Sequence, residues 1–182
     1  MVPAKTISQP VQVWVATLPE ADLALRAWLD SRELERFVSY QSDADRARFL
    51  LGAAMLRSAV GSHLRIPPRE VPVHRECAAC GRWHGRPTVP NSRLALSVAH
   101  AGSLVALALA VDQGVGIDVE RINGRHQHDV RNWTRAEARF KAGDDPILNV
   151  RELITPIPGH ILTLATAPDA TVHLLPSNRL LS

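Results

Sequence analysis

Three apolar segments in close succession constrain the fold of this chain more than any other feature. They span residues 94–99, 104–111 and 115–119, and short turn-like segments separate them. Apolar runs of this length bounded by turn residues are typical of buried β-strands. Because parallel strands need a crossover of about a dozen residues or more, the short links predict antiparallel neighbours. The centre of the chain is therefore predicted to form an antiparallel sheet.

Helical and extended patterns flank these segments on both sides. Apolar residues recur at helical spacing in three segments, which are residues 20–29, 43–64 and 134–142. Further strands are predicted at residues 11–17, 71–74, 150–154, 161–165 and 172–175. This mixture of helices with antiparallel strands predicts an α+β fold.

Composition excludes several classes of protein. With 182 residues, 46% of them hydrophobic and 21% charged, the chain is predicted to be globular, and no apolar run reaches the length that spans a membrane. The first ten residues do not resemble a secretory signal, and two cysteines in a C-x₂-C spacing favour a reducing compartment, so we expect a cytoplasmic protein. The net charge of +3 suits an anionic partner without naming its class.

Two carboxylates at the end of the third apolar segment predict a metal site. Asp118 and Glu120 are two positions apart, so they lie on the same face of a strand. Neighbouring like charges are costly unless they are neutralised, and Mg²⁺ binds a few carboxylates together with phosphate oxygens. The alternative interpretation is that the strand has left the core and its end is solvated.

Several further polar residues are of types that bind or react with an anionic substrate such as a phosphate. Trp133, Glu137 and Lys141 follow one helical stripe, where the alternative is a solvated Glu–Lys pair. Arg86 lies in the segment His-Gly-Arg-Pro, and an arginine fork suits phosphate, although arginine in a surface turn is common. His100 ends an apolar strand, where a hydrogen-bonded structural role is the alternative.

Four residues with metal-binding side chains lie between positions 74 and 84. His74, Cys77, Cys80 and His84 have a spacing that zinc sites use, and a reduced thiol pair in a tight turn is the alternative. A zinc-stabilised module that binds nucleic acid would need a stripe of basic and aromatic residues. Arginines are scattered here and Phe and Tyr total only four, so we expect no nucleic-acid partner.

The order of these motifs resembles the Sfp-type 4′-phosphopantetheinyl transferases. The series is His-Gly-Arg-Pro at 84–87, a strand with a histidine-containing turn, Gly-Ile-Asp-Val-Glu at 116–120 and W-x₃-E-A-x₂-K at 133–141. The resemblance extends from about residue 11 to residue 141. The arginine-bearing segment 45–52 is also similar to that family, and the C-x₂-C-G segment is similar to many of its actinobacterial members.

The resemblance implies a fold and a reaction. The fold would be a pseudo-dimer of two similar α+β halves, predicted at 1–110 with the coenzyme A phosphate motifs and at 111–182 with shortened metal and catalytic motifs. The protein would transfer 4′-phosphopantetheine from coenzyme A to a serine of an apo acyl or peptidyl carrier protein, as in polyketide or nonribosomal peptide biosynthesis. Mg²⁺ or Mn²⁺ would be required, and adenosine 3′,5′-bisphosphate would be released.

The resemblance also implies roles for individual residues. Asp118, Glu120 and Glu137 match the metal ligands of the family. Glu137 or Lys141 would help to deprotonate the carrier serine, and Lys141 could instead steady the phosphate. The residues that would hold the coenzyme A phosphates are Arg48, Arg86 and His100, with Arg36 as a possible further contact.

Three departures from the family pattern bear on activity. Ala99 stands where relatives have a serine that contacts the coenzyme, so Ala99→Ser is expected to tighten coenzyme A binding. The link between Glu120 and Trp133 is short, and the glycine-rich stretch that usually follows the lysine is missing. The alternative function is a degenerate relative that binds coenzyme A or a carrier protein without this turnover, or a repurposed biosynthetic enzyme.

Overall fold

The computed structural model describes residues 9–77, 79–124 and 126–181. These ranges contain nine β-strands and three α-helices. The strands are β1 (Val11–Thr17), β2 (His74–Glu76), β3 (Trp83–Thr88), β4 (Leu94–Ala101), β5 (Leu104–Val111), β6 (Val115–Arg121), β7 (Asn149–Leu153), β8 (His160–Thr166) and β9 (Val172–Pro176). The helices are α1 (Ser31–Ser39), α2 (Asp43–Leu64) and α3 (Gln127–Ala142).

The strands form two sheets and a separate hairpin. The first sheet has the order β4-β5-β1-β9, the second has the order β6-β8-β7, and β2 pairs with β3. Neighbours are antiparallel except β1 and β9, which are parallel. The predicted α+β class is confirmed. None of the helices in the described part of the chain combines the length and apolar character that crossing a bilayer requires.

Three apolar clusters stack these elements in layers. The first lies between α2 and one face of the first sheet, and the second joins the opposite face of that sheet to β6 and β8. The third packs Ala138 and Ala142 of α3 against Ala165 of β8. Each sheet therefore carries one long helix on its outer side. The likeness of the two halves stays a prediction, as does the boundary between residues 110 and 111.

The edge strands of the two sheets lie side by side. The Oγ of Ser97 on β4 accepts a hydrogen bond of 3.0 Å from the N–H of Ile117 on β6. The last strand, β9, returns to the first sheet, where Val172 pairs with Val11 and Leu180 joins the first apolar cluster. Strand β9 thus packs beside β1, and Leu180 packs in the first apolar cluster.

The N-terminal helices differ from the sequence prediction. The sequence predicts one helix over residues 20–29, but the structure has the short 3₁₀ helices Leu18–Glu20 and Leu23–Trp28, and the side chains of Leu23, Ala24 and Ala27 are exposed. Helix α1, which was not predicted, begins with a capping box: Asp30 accepts from the N–H of Glu33, and Glu33 accepts from the N–H of Asp30.

A buried arginine joins α1 to α2. The side chain of Arg57 is 1% exposed and forms ion pairs with Asp30 and Glu33 at the start of α1. It also donates to the carbonyls of Pro68 and Val71, at 3.2 and 3.1 Å. The apolar periodicity that predicts α2 places Arg57 outside the apolar face and gives no sign of this role. The network fixes the position of α1 on α2.

Two boundaries near the predicted site also differ. Helix α3 begins at Gln127, seven residues before the predicted start, because polar residues with no apolar stripe form its first turn. Residues 84–87, interpreted as a loop from their glycine and proline, lie within β3. The short link after Glu120 therefore holds the beginning of α3.

Candidate functional site

A glycine brings α3 close to β6. A Cβ atom on Gly116 would lie 2.0 Å from the carbonyl oxygen of Ala138 and 2.6 Å from the N atom of Ala142, so only glycine allows this spacing. The other face of β6 carries Ile117 and Val119, which are buried in the second apolar cluster. The strand therefore turns its polar positions toward α3.

Asp118 and Lys141 form the centre of this contact. The Nζ of Lys141 donates to Oδ1 of Asp118 at 2.6 Å, and the Asp118 side chain is 9% exposed. Burial raises the pKa of Asp118, the ammonium of Lys141 lowers it, and the negative charges of Glu120 and Glu137 raise it further. Asp118 Oδ2 is buried without a hydrogen-bond partner in the described part of the chain. The structure thus brings together these four predicted residues.

The donors around Asp118 suit a hard cation. Carboxylate oxygens are the ligands that Mg²⁺ prefers. The Oδ2 atom of Asp118 is buried and has no hydrogen-bond partner among the described residues, so it could serve as such a ligand. The ligand oxygens of Asp118, Glu120 and Glu137 do not all lie within 4.8 Å of one another. Among the described residues, one group of three metal-binding side chains meets that distance, and it lies in another part of the fold.

A small basic cavity lies between α1, α2, β2 and β4. Its volume is about 120 Å³, and its lining includes Arg36, Arg48, Arg75 and His100. The Nε of Arg36 donates to the hydroxyl of Tyr40 at 3.1 Å, and Arg48 forms an ion pair of 2.7 Å with Asp45. Three residues that the resemblance assigned to the coenzyme A phosphates are therefore gathered around one anion-sized space.

Arg75 is the basic residue that sequence analysis missed. Its Nε is buried and has no hydrogen-bond partner among the described residues, and its guanidinium lies 5.9 Å from the ring centre of Trp83. Burial lowers the pKa of Arg75, Glu33 opposes that change, and the positive charges of Arg36 and Arg57 add to it. Its place on the short strand β2 carried no local signal. A partly buried guanidinium whose Nε has no acceptor among the described residues suits an incoming anion.

A larger cavity adjoins the basic one and shares Arg48. Its volume is about 640 Å³, within the range of small-molecule sites, and Arg121 and His160 add basic groups to its wall. Partial burial lowers the pKa of His100, and the positive charges of Arg48 and Lys141 lower it too. The positive charges that lower the pKa of His100 therefore come from both α2 and α3.

Arg86 does not line the basic cavity, unlike Arg36, Arg48 and His100, which are the other residues assigned to the coenzyme A phosphates. Its guanidinium donates to the carbonyls of Leu96 (3.0 Å), Val115 (2.9 Å) and Lys141. Arg86 thus ties β3 to β4, β6 and the end of α3. Its assignment to a coenzyme phosphate stays a prediction, and in this arrangement it positions the backbone around Lys141.

Two other expectations look different in the structure. Ala99 is 6% exposed and belongs to the second apolar cluster, on the face of β4 opposite His100. A serine there would face the core, so the expected gain from Ala99→Ser has no support. Trp133, expected at the start of a helix, lies inside α3 with 54% of its surface exposed.

Comparison with known proteins agrees with the resemblance. The chain is 26% identical, over an alignment of 208 positions, to the 4′-phosphopantetheinyl transferase HetI of Nostoc sp. (strain PCC 7120 / SAG 25.82 / UTEX 2576). The alignment covers 94% of this chain and 85% of that protein. No protein-family model matches the chain. Similarity along nearly the whole chain supports a relationship to the 4′-phosphopantetheinyl transferases.

Proposed function

We propose that this protein is a cytoplasmic transferase that moves 4′-phosphopantetheine from coenzyme A to a serine of an apo acyl or peptidyl carrier protein. The observations that carry the proposal are a cavity lined by basic side chains and an ion pair between Lys141 and the buried Asp118, with the charges of Glu120 and Glu137 nearby. Arg48 lines both cavities, and the charge of Lys141 reaches His100. The relative's name, 4′-phosphopantetheinyl transferase, supports this reaction class.

The basic cavity is proposed to hold phosphates of coenzyme A. Three guanidinium groups and one imidazole surround a space of about 120 Å³, which has the volume of roughly four water molecules at ~30 Å³ each. Arginine forks match phosphate oxygens in geometry and remain charged. The cavity of about 640 Å³ beyond Arg48 offers room for further parts of the coenzyme.

The transfer step follows from the groups at Asp118. The serine oxygen of the carrier protein attacks the phosphorus that bears the pantetheine arm, and a new P–O bond forms. The bond from that phosphorus to the bridging oxygen breaks, and the oxygen leaves on adenosine 3′,5′-bisphosphate. Because Lys141 already donates to Asp118, we assign the serine proton to Glu137 and the stabilisation of phosphate charge to Lys141.

Asp118, Glu120 and Glu137 would hold Mg²⁺ or Mn²⁺. When bound, the ion would neutralise negative charge on the pyrophosphate oxygens. Oδ2 of Asp118 has no hydrogen-bond partner among the described residues, and burial raises the pKa of this carboxyl group, so a cation beside it would stabilise the charged form.

Mass spectrometry of an apo carrier protein tests the proposal. After incubation with coenzyme A, Mg²⁺ and this protein, we expect the carrier to gain one phosphopantetheine group. EDTA should abolish the gain, and Lys141→Ala, which removes a group that stabilises phosphate charge, should lower turnover by about 10²–10³-fold while coenzyme A binding is kept. Full activity after removal of metal would contradict the metal assignment.

An arginine outside the proposed site provides a control variant for the transfer assay. Arg46 lies on α2 near Arg48, and its ion pair with Asp43 is exposed, so Arg46→Ala should leave transfer unchanged. If coenzyme A binds to the wild type but no acyl or peptidyl carrier protein is modified, the degenerate or repurposed alternative is favoured.

A further inference from the structure

A second cluster of metal-binding side chains lies outside the site described above, at the tip of the β2–β3 hairpin. The ligand atoms of Cys77, Cys80 and His84 all lie within 4.8 Å of one another. The Sγ of Cys80 is 3.0 Å from Nε2 of His84, and both cysteines are free thiols. The proposed phosphopantetheine transfer uses none of these three residues.

The backbone of the turn supports the two sulfur atoms. The N–H of Gly81 donates to the carbonyl of Cys77 at 2.8 Å, and the N–H of Cys77 donates to the carbonyl of Arg82 at 2.8 Å. The N–H of Cys80 also donates to the carbonyl of Cys77, at 3.3 Å. These backbone hydrogen bonds hold the turn that presents both sulfur atoms, and metals bind cysteine in its thiolate form. Gly81 has φ +68°, a conformation that favours glycine.

Sequence spacing nominated four ligands, and the structure selects three. His74 pairs with Thr88 at the opposite end of the hairpin and is not part of the cluster. Two thiolates and one imidazole are soft or borderline donors, which favour Zn²⁺ over Mg²⁺ or Ca²⁺. A tetrahedral ion held by three side chains keeps one position for water or another ligand.

We propose that Cys77, Cys80 and His84 bind one Zn²⁺ ion, which closes the tip of the β2–β3 hairpin. The ion replaces the thiol protons of both cysteines, so binding releases protons and needs no oxidant. The site is separate from the carboxylates around Asp118, because it lies at the tip of the β2–β3 hairpin and shares no residue with them.

The hairpin connects this site to the basic cavity. Arg75 on β2 lies two residues before Cys77 and lines the cavity, whereas Arg86 on β3 lies two residues after His84 and holds β4, β6 and the end of α3. Zinc at the tip would therefore hold both arginines in place. An effect of zinc on coenzyme A binding through these arginines rests on the proposed function, whereas the binding of zinc itself does not.

Metal titration of the reduced full chain tests the site directly. We expect one Zn²⁺ per chain in competition with a chromogenic chelator, and Co²⁺ should give thiolate-to-metal charge-transfer absorption. Cys80→Ser should weaken zinc binding by at least about 100-fold, since loss of groups that merely support metal ligands costs 10–100-fold. His74→Ala is the matched control and should bind zinc as tightly as wild type.

Melting curves with and without zinc show whether a variant that binds no zinc is still folded. Zinc should raise the melting temperature of wild type and His74→Ala but not that of Cys80→Ser, because only the first two bind the ion in the folded state. Equal zinc affinity in Cys80→Ser and wild type would overturn the proposal. The proposal would also be overturned if the reduced protein bound no zinc, or if the two cysteines formed a disulfide and bound no metal.

A final measurement separates the two proposals. Coenzyme A affinity is compared in the zinc-loaded and zinc-free wild type, with the expectation of tighter binding when zinc is present. If zinc binds with one ion per chain while coenzyme A does not bind at all, the zinc site stands and the proposed transferase function fails.

Discussion

Asp118 connects burial of a charge with the pH dependence of stability. Burial raises the pKa of Asp118, so the folded protein holds the proton to a higher pH than the unfolded chain does. The stabilisation by protonated Asp118 is complete below about pH 3.9, the ordinary pKa of aspartate, and is lost as pH rises through the raised value. We therefore expect the free energy of unfolding of wild type, minus that of Asp118→Asn, to fall with rising pH and then level off.

Urea denaturation of both proteins across this pH range measures the difference. Lys141→Met provides a second comparison: since Lys141 lowers the pKa of Asp118, its loss should move the fall to higher pH. A difference that grows with pH would mean that the ion pair with Lys141 outweighs burial.

Arg75 carries a prediction about ligand binding. Its buried Nε lacks an acceptor, and a phosphate in the basic cavity would supply one. A hydrogen bond to a charged group contributes roughly 1.5–3 kcal/mol, so Arg75→Ala should weaken coenzyme A binding about 10- to 100-fold in calorimetry. Arg69→Ala, which removes a side chain that is 72% exposed, is the control and should have no effect.

At the scale of elements, the spacing between β6 and α3 governs the site. Gly116→Ala would place a methyl group 2.0 Å from the carbonyl of Ala138, so α3 must move away from β6 and carry Lys141 with it. A displacement near 1 Å can lower a reaction rate about 100-fold. We expect a loss of transfer of that size, measured at saturating coenzyme A.

Ala136→Gly supplies the matched control for this variant. Ala136 is exposed on the same helix, and the substitution lowers helix stability by roughly 1 kcal/mol without changing the helix–strand spacing. If Ala136→Gly lowered transfer as much as Gly116→Ala, helix stability and not spacing would be the cause.

At the scale of the whole molecule, the end of the chain completes the first core. Leu180 is 5% exposed within the cluster between α2 and the first sheet. Removing such a side chain leaves a cavity, so Leu180→Ala should lower the free energy of unfolding by about 2–5 kcal/mol. Chemical denaturation checks this value, and Leu174→Ala, at a side chain 48% exposed on β9, should change it by less than about 0.5 kcal/mol.

Local pattern was enough to find most elements. Strand β5 is an uninterrupted apolar run that is buried throughout, and α2 has the predicted bounds, because both patterns repeat within a few residues. The shared face of Asp118 and Glu120 follows from strand periodicity alone. Helix α1 had a readable signal in the Asp30–Glu33 capping box, whereas the apolar spacing of 20–29 predicted one helix where the structure has two short 3₁₀ helices.

Contacts between distant residues depended on packing, which local pattern does not encode. Arg36 and Arg75 are far apart in the chain, and they meet because α1 and the β2–β3 hairpin pack on the same end of α2 and β4. The hydrogen bonds of Arg86 join strands that only the arrangement of two sheets brings together. Lys141 reaches Asp118 because Gly116 lacks a side chain, so the distance across the site is set by helix-to-sheet packing.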